Sequence, residues 1–179
     1  MLQIELPVEL WDEGKQEFVY LPGQTLELEH SLASLSKWES KTNKPFLSEE
    51  TKTYEESLEY LKCMMLTPGV TDDVYEYLMR HKLSVIDEYI NSSMTATILP
   101  KNNGRRGRPE IITAEVIDYW MIAMQIPSDY RHWHLNKLIT LIGVCNVKNS
   151  PAKKRSSDEI LRDQMALNAE RCKKLNSKG

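Results

Sequence analysis

The spacing of the apolar residues changes about thirty residues into the chain, and this change constrains the fold more than any other feature. Before it, Leu2, Ile4 and Leu6 alternate with polar residues. A period of two places successive side chains on opposite faces, as in a half-buried strand. Two further β-prone runs follow, separated by Pro22-Gly23. Residues 1–30 therefore predict an antiparallel β-hairpin or a three-stranded meander.

From Ser31 onward the apolar residues recur three or four positions apart, which is the spacing of a helix that buries one face. Ser31 is a residue type that caps helix N-termini. Thr53 and Glu56 have the T-x-x-E spacing of a capping box. Similar apolar spacing predicts further helices over residues 71–81 and 85–90.

Two strongly apolar segments are predicted to form the pair of core helices. One runs from Ile111 to Pro127 and the other from Trp133 to Val144. Between the helices of the first half and these two, Thr95–Leu99 predicts a strand that returns to the N-terminal sheet. Trp38 and Trp133 have polar neighbours, which fits either the edge of the core or an anchor for a partner protein.

A basic linker and a polar helix follow the predicted core. Residues 149–155 include Lys153-Lys154-Arg155, and Ser156 with Glu159 predicts a second capping box. The helix carries a narrow apolar seam with alternating spacings of four and three: Leu161, Met165, Asn168, Cys172 and Leu175. Because isolated helices are marginal in water, this helix is expected to dock on its own domain or on another chain, including a second copy in a homo-oligomer.

The predicted fold class is α+β, mostly α. A small N-terminal antiparallel hairpin or meander packs on a helical core, and an amphipathic helix follows at the C-terminus. The predicted domain covers residues 1–148 and is β-rich over 1–30 and helical over 31–148. Residues 149–155 form the linker, and residues 156–179 form the C-terminal helix and tail.

The composition is that of an ordinary globular protein, with 41% apolar and 27% charged residues. The longest mostly apolar stretch, residues 135–147, is too short to span a bilayer, and residues 1–10 lack the pattern of a signal peptide. The three cysteines are far apart in sequence: Cys63, Cys145 and Cys172. We therefore expect a soluble protein of a reducing, cytosolic compartment, with no membrane partner.

The charge is divided unevenly between the two parts of the chain. Residues 1–100 contain 8 Lys or Arg against 18 Asp or Glu, and residues 101–179 contain 15 against 8. Two interpretations remain open. The two parts neutralise each other within one fold, or the basic part binds an acidic partner.

The chain contains no nucleophile elbow, P-loop, dinucleotide-binding glycine motif or zinc-protease motif. These absences favour a non-enzymatic protein without a cofactor. His132-Trp133-His134 has metal-ligand residue types, but i and i+2 side chains diverge on a helix. No metal site is therefore predicted, and His134 is expected to use one ring nitrogen to bind a nearby backbone group.

Arg105-Arg106-Gly107-Arg108-Pro109 is similar to the core of an AT-hook, in which arginines enter the narrow minor groove of A·T-rich DNA. The neighbouring Glu110 would repel phosphate, and one short match is more typical of a solvated loop. Arg105, Arg106 and Arg108 thus give a weak nucleic-acid-binding hypothesis.

Several stretches spread over most of the chain form a recognisable pattern. The strongest is WHLNKLITLI, residues 133–142. The others are residues 28–32, 36–41 (SKWESK), 44–47, 94–97, 119–122, 126–127, 168–171 and 175–179. In these stretches the chain resembles a family of tail assembly chaperones and neighbouring tail-module proteins of long-tailed bacteriophages.

The resemblance implies a non-catalytic chaperone in the host cell cytoplasm. Such a protein would bind the tape measure protein, or other tail proteins, and keep it soluble during tail assembly. The expected mode is a helix laid in an apolar groove. The residues expected to contact the partner are Trp133, His134, Asn136, Lys137, Leu161, Met165, Cys172 and Leu175.

Two alternatives remain. In the first alternative, the chain is a structural component of the particle, such as a connector or tail subunit, whose acidic and basic parts meet between neighbouring copies. In the second, it is a DNA-binding regulator that uses the loop from Arg105 to Arg108.

Overall fold

The N-terminal residues form two antiparallel strand pairs in the computed structural model of the chain. Strand β1 (Leu2–Glu5) pairs with β4 (Thr25–Leu28), and β2 (Glu9–Asp12) pairs with β3 (Glu17–Tyr20). The β2–β3 hairpin therefore lies between the two outer strands in sequence, and the strands do not form one continuous meander. The structure describes residues 1–12, 16–20, 23–99, 111–149 and 157–175.

The outer edge of β4 is covered by the residues that follow the second helix, and not by Thr95–Leu99. Leu66 N donates to Glu27 O at 2.8 Å, and an isolated bridge joins Leu28 to Met65. The strand predicted over Thr95–Leu99 is wrong. Its backbone forms no strand, and the side chain of Ile98 is 94% exposed. A β-branched run lacks a strand here because the nearest sheet edge already has its hydrogen-bond partners.

The fold is α+β and mostly α, as predicted. The described residues contain seven α-helices: α1 (Leu32–Thr42), α2 (Tyr54–Met64), α3 (Asp72–His81), α4 (Leu83–Asn91), α5 (Ala114–Ala123), α6 (Leu135–Asn149) and α7 (Ser157–Leu175). A short 3₁₀ helix, Ser128–His132, lies between α5 and α6.

Local sequence signals set the starts of the first two helices. The Ser31 side chain accepts a hydrogen bond from Ser34 N at the start of α1. At the start of α2, Thr53 and Glu56 form both hydrogen bonds of a capping box. Both predicted caps are confirmed. Each satisfies backbone N–H groups that a helix N-terminus leaves without partners.

Helix α1 lies at the centre of the core. It packs against α2, α5 and the 3₁₀ helix. Its Trp38 is 1% exposed, and the indole N–H donates to Glu56 O at 2.9 Å. Trp38 is therefore a core residue, and the alternative that it anchors a partner is wrong. The polar neighbours of Trp38 do not indicate exposure, because a helix places them on its other faces.

Both apolar segments form core helices, as predicted. Within the described residues, α5 and α6 are not among the helix pairs with the most extensive backbone contact. Each buries one side in the core, through Ile117 and Met121 on α5 and Leu138 and Ile142 on α6. Helix α6 begins at Leu135, two residues later than the sequence pattern indicates.

One buried carboxylate joins α1 to the start of α5. The Glu39 side chain is buried, and its two oxygens accept hydrogen bonds from Phe46 N at 2.8 Å and Ala114 N at 2.7 Å. Ala114 is the first residue of α5, whose own Thr113 makes no side-chain cap. Glu39 therefore caps α5 from a distant helix, where a negative charge is favoured by the helix dipole.

The chain forms two compact units, Met1–Val147 and Lys148–Gly179. The first contains both strand pairs and the buried core, and the second contains α7. No helix in the described part of the chain is long and apolar enough to cross a membrane.

Candidate functional site

Two of the residues predicted to bind a partner, His134 and Asn136, point into the protein. His134 is buried, and its Nε2 lies 3.0 Å from Tyr89 O. Asn136 Nδ2 donates to Ile90 O at 2.9 Å and to Ser92 O at 2.8 Å. The prediction that a His134 ring nitrogen binds a backbone group is confirmed. These side chains bind backbone carbonyls at the C-terminal end of α4, where the last carbonyls of a helix lack the usual intrahelical partner.

The other two, Trp133 and Lys137, lie at the surface. Trp133 is half-buried and stacks on Tyr130 with ring centroids 4.0 Å apart and 17° between the planes. The exposed Lys137 places its ammonium 4.1 Å from the centre of the Trp133 ring. The three side chains form a surface ladder of Lys137, Trp133 and Tyr130. A ladder with this cation–π geometry is rigid, polar at one end and apolar at its ring edges.

Behind this ladder lies a buried polar cluster, which the sequence did not indicate. The rings of His30 and His134 are 5.1 Å apart, and His30 Nδ1 lies 2.5 Å from Tyr60 Oη. Tyr89 Oη donates to a Glu29 oxygen at 2.7 Å. The other Glu29 oxygen accepts from the N-terminal ammonium of the chain at 2.7 Å.

Burial controls the protonation of this cluster. Desolvation, followed by the nearby His134, lowers the pKa of His30 from 6.5 to about 4. Desolvation also lowers the pKa of His134, and it raises the pKa of Tyr60 well above 10. Both histidines are therefore neutral at pH 7, and Tyr60 keeps its proton. His30 Nδ1 and Tyr60 Oη therefore share a hydrogen bond between two neutral groups, and the His30 tautomer sets which of them donates.

The cluster serves packing and hydrogen bonding. Among the residues that the structure describes, no group of three or more His, Cys, Asp or Glu side chains is placed to hold a metal ion. His132 and His134 do not lie on one face of a regular element. His132 ends the 3₁₀ helix and is exposed, whereas His134 is buried beside α4.

The outer side of α5 is an apolar helix face that is exposed within the first unit. Eight of the ten residues of this helix, AEVIDYWMIA, are apolar, but only Ala114, Ile117 and Met121 are buried. Tyr119 is 66% exposed and Ile122 is 76% exposed. Residues three apart on a helix lie on the same face, so these two large side chains form one exposed patch. We call this patch, Tyr119 and Ile122, the α5 outer face.

An ion pair connects α5 to the element that carries the aromatic ladder. Arg131 Nη2 donates a hydrogen bond to Asp118 Oδ2 at 3.1 Å, and Arg131 Nε lies 3.0 Å from Asp118 Oδ1. Asp118 directly precedes Tyr119, and Arg131 lies between the ladder residue Tyr130 and His132. The charge-assisted hydrogen bond connects the 3₁₀ helix to α5.

The predicted seam of α7 is exposed within its own unit. Leu161, Met165 and Leu175 are 52%, 62% and 76% exposed, and Cys172 is half-buried. One ion pair, between Glu170 and Lys174, supports the helix on its polar side. The seam is therefore a narrow apolar stripe on a polar helix, which is the pattern of a helix that binds another surface.

Arg105, Arg106 and Arg108 lie outside the described residues, as does Ser156 of the predicted second capping box. The apolar residues of α5 predict a buried core helix, and this prediction does not identify the α5 outer face. The composition of the segment does indicate such a face, because a helix that is apolar on all sides has more apolar surface than one core contact can bury.

Comparison with known proteins gives no further assignment, since no protein family, curated protein or solved structure matches the chain.

Proposed function

We propose that this chain is a non-catalytic assembly chaperone that binds apolar helical segments of a partner protein. Following the resemblance of its sequence, we propose that the partner is the tape measure protein of a long-tailed bacteriophage. The chaperone keeps that protein soluble in the host cytoplasm until the tail forms around it.

The α5 outer face is the observation that carries this proposal. Contiguous exposed apolar patches mark interaction surfaces, and Tyr119 and Ile122 are exposed on one face of the same helix. Tyr119 and Ile122 are rigid or branched side chains, which lose little conformational entropy when they are covered. The capping of α5 by the buried Glu39 holds this face in a fixed position, which reduces the entropy cost of binding.

The exposed apolar stripes of the chain suit a helical partner. An extended segment would bind by adding a strand to a sheet edge, and the outer edge of β4 is already covered by Met65 and Leu66. The α5 outer face and the α7 seam are both single apolar stripes along a helix, and such stripes pack against the stripe of another helix.

Weak binding at each stripe is compatible with the proposed role. A chaperone has to leave its client when the tail polymerises, so each contact must be reversible. Several modest contacts along one long client would together give a useful affinity. The α7 seam supplies such a contact in the second unit.

The test is co-expression with the tape measure protein of the same phage, with the soluble fraction of that protein as the readout. The wild-type chain should increase the soluble fraction and co-purify with it. Ile122→Asp should weaken co-purification by more than about tenfold, because a buried charge would replace an anchor side chain.

Ile98→Asp is the matched control, since Ile98 is at least as exposed as Ile122 but lies outside α5. This variant should behave as the wild type does. The proposal fails if the tape measure protein is equally soluble with and without the chain. It also fails if the two aspartate variants have the same effect.

A further inference from the structure

A cavity of about 510 Å³ lies between α2, α4 and the loop that follows α1, within the first unit. Its walls are mostly apolar and include Phe46, Tyr60, Met64, Met79 and Ile86. A volume of this size is within the range of small-molecule sites, roughly 300 to 1,000 Å³. The two methionines have flexible, polarisable side chains that adapt to ligands of different shape.

One cation lines this cavity. The Lys52 ammonium lies 4.2 Å from the centre of the Phe46 ring, and the Lys52 side chain is half-buried. Burial lowers the pKa of Lys52, against a smaller opposing effect of Glu56. Within the described residues no carboxylate is close enough to form an ion pair with Lys52. Glu56 pairs with Lys44 instead, at 2.5 Å.

Two other polar residues of the cavity lining have partners within the protein. Asn136 donates to two backbone carbonyls, and His30 shares a hydrogen bond with Tyr60. Asp87 is exposed and, within the described residues, forms no ion pair with Lys52. The cavity therefore combines apolar walls with one partly desolvated positive charge, and the nearby carboxylate of Glu56 is paired with Lys44. Such a charge gains more from an anion than a fully hydrated lysine does.

We infer that this cavity binds a small apolar carboxylate, with the carboxylate on the Lys52 ammonium and the hydrocarbon body between Phe46, Met64 and Ile86. The inference is independent of the proposed chaperone function, because none of the described residues that line the cavity belongs to α5 or α7.

The experiment is a titration with three eight-carbon probes that differ only in their head groups: octanoate, 1-octanol and octylammonium. The readout is the NMR signal of each methionine methyl group in the full-length chain. Octanoate should shift the Met64 and Met79 signals saturably, while the signal of Met121, which is buried in α5, should not move. Octanol should bind more weakly, and octylammonium should bind weakest.

Lys52→Met keeps the aliphatic part of the side chain and removes its charge. It should weaken octanoate binding by about tenfold and leave octanol binding unchanged. Lys62→Met is the matched control, since Lys62 lies over the Tyr75 ring at 5.4 Å and outside the cavity. It should have no effect on either probe.

Three results would overturn the inference. One is the absence of a saturable shift at Met64 and Met79. Another is equal binding of octanoate and octylammonium. The third is an unchanged octanoate affinity in the Lys52→Met variant, provided that the melting temperature of this variant shows that it is folded. Shifts of equal size at Met165 on α7 would show non-specific adsorption and would also count against the site.

Discussion

Replacing Glu39 with alanine should destabilise the first unit strongly, because its carboxylate holds two backbone donors at once. The backbone N–H groups of Phe46 and Ala114 donate to the Glu39 carboxylate at 2.8 and 2.7 Å, and both would lose this acceptor. Both hydrogen bonds are buried. A buried donor that loses its partner costs about 1–3 kcal/mol. Two such donors give a loss of roughly 2–6 kcal/mol in the free energy of unfolding.

The assay is urea unfolding followed by tryptophan fluorescence, with thermal unfolding as a second measure. For a chain of this size, each kcal/mol shifts the melting temperature by about 2–4 °C. Glu39→Ala should therefore lower the melting temperature by roughly 4–24 °C. Glu39→Gln keeps one acceptor oxygen, so about half of that loss is expected. Glu88→Ala on α4 is the control, because Glu88 is an exposed helical glutamate, and its change should stay within about 0.5 kcal/mol.

The reasoning is refuted if Glu39→Ala costs less than about 1 kcal/mol. It is also refuted if Glu39→Ala and Glu88→Ala are equally destabilising. Because Glu39 caps α5, loss of this carboxylate should also weaken partner binding by the α5 outer face in any variant that stays folded.

Two other changes follow from the buried cluster and from the division into units. The folded-state pKa of His30, about 4, lies below the unfolded value of 6.5. The stability that the neutral His30 contributes is therefore fully present above pH 6.5, and it is lost as the pH falls toward 4. This loss of stability reaches roughly 3 kcal/mol. Urea unfolding at a series of pH values should show that His30→Asn reduces the pH dependence of the unfolding free energy over that interval. A pH dependence equal to that of the wild type would contradict this expectation. Deleting residues 156–179 should leave the first unit folded, because the core lies within Met1–Val147. The near-ultraviolet circular dichroism spectrum should then be unchanged. Loss of that spectrum would show that α7 is needed for the core.

The sequence predicted those features of the fold that depend on neighbouring residues. Ser31 and the Thr53–Glu56 capping box act within one turn of helix, so their residue types and spacing are sufficient. The hydrogen bond of His134 to a backbone carbonyl could also be predicted, since a buried imidazole needs a partner.

Features that depend on distant contacts could not be predicted in this way. Thr95–Leu99 has the residue types of a strand, but the edge it would need is occupied by residues that follow α2. Trp38 has polar sequence neighbours and is nevertheless buried, because burial depends on which helix face meets α2. Glu39 caps a helix that begins 75 residues later in the chain, and no local pattern encodes such a contact.

The candidate site was predicted only in part for the same reason. His134 and Asn136 lie next to Trp133 and Lys137 in sequence, yet the first two point inward and the last two point outward. The periodicity of a segment predicts that it is a helix, but it does not show how many of its faces the core covers. The α5 outer face became visible only when Tyr119 and Ile122 could be placed relative to the core.

Quantitative mass spectrometry of purified phage particles, and of complexes captured with this chain from infected cells, tests the central claim most directly. If the chain is an assembly chaperone, it should be absent from the particles, and the tape measure protein should co-purify with it. Its presence in particles at a fixed low copy number would contradict the chaperone account and would identify a structural subunit.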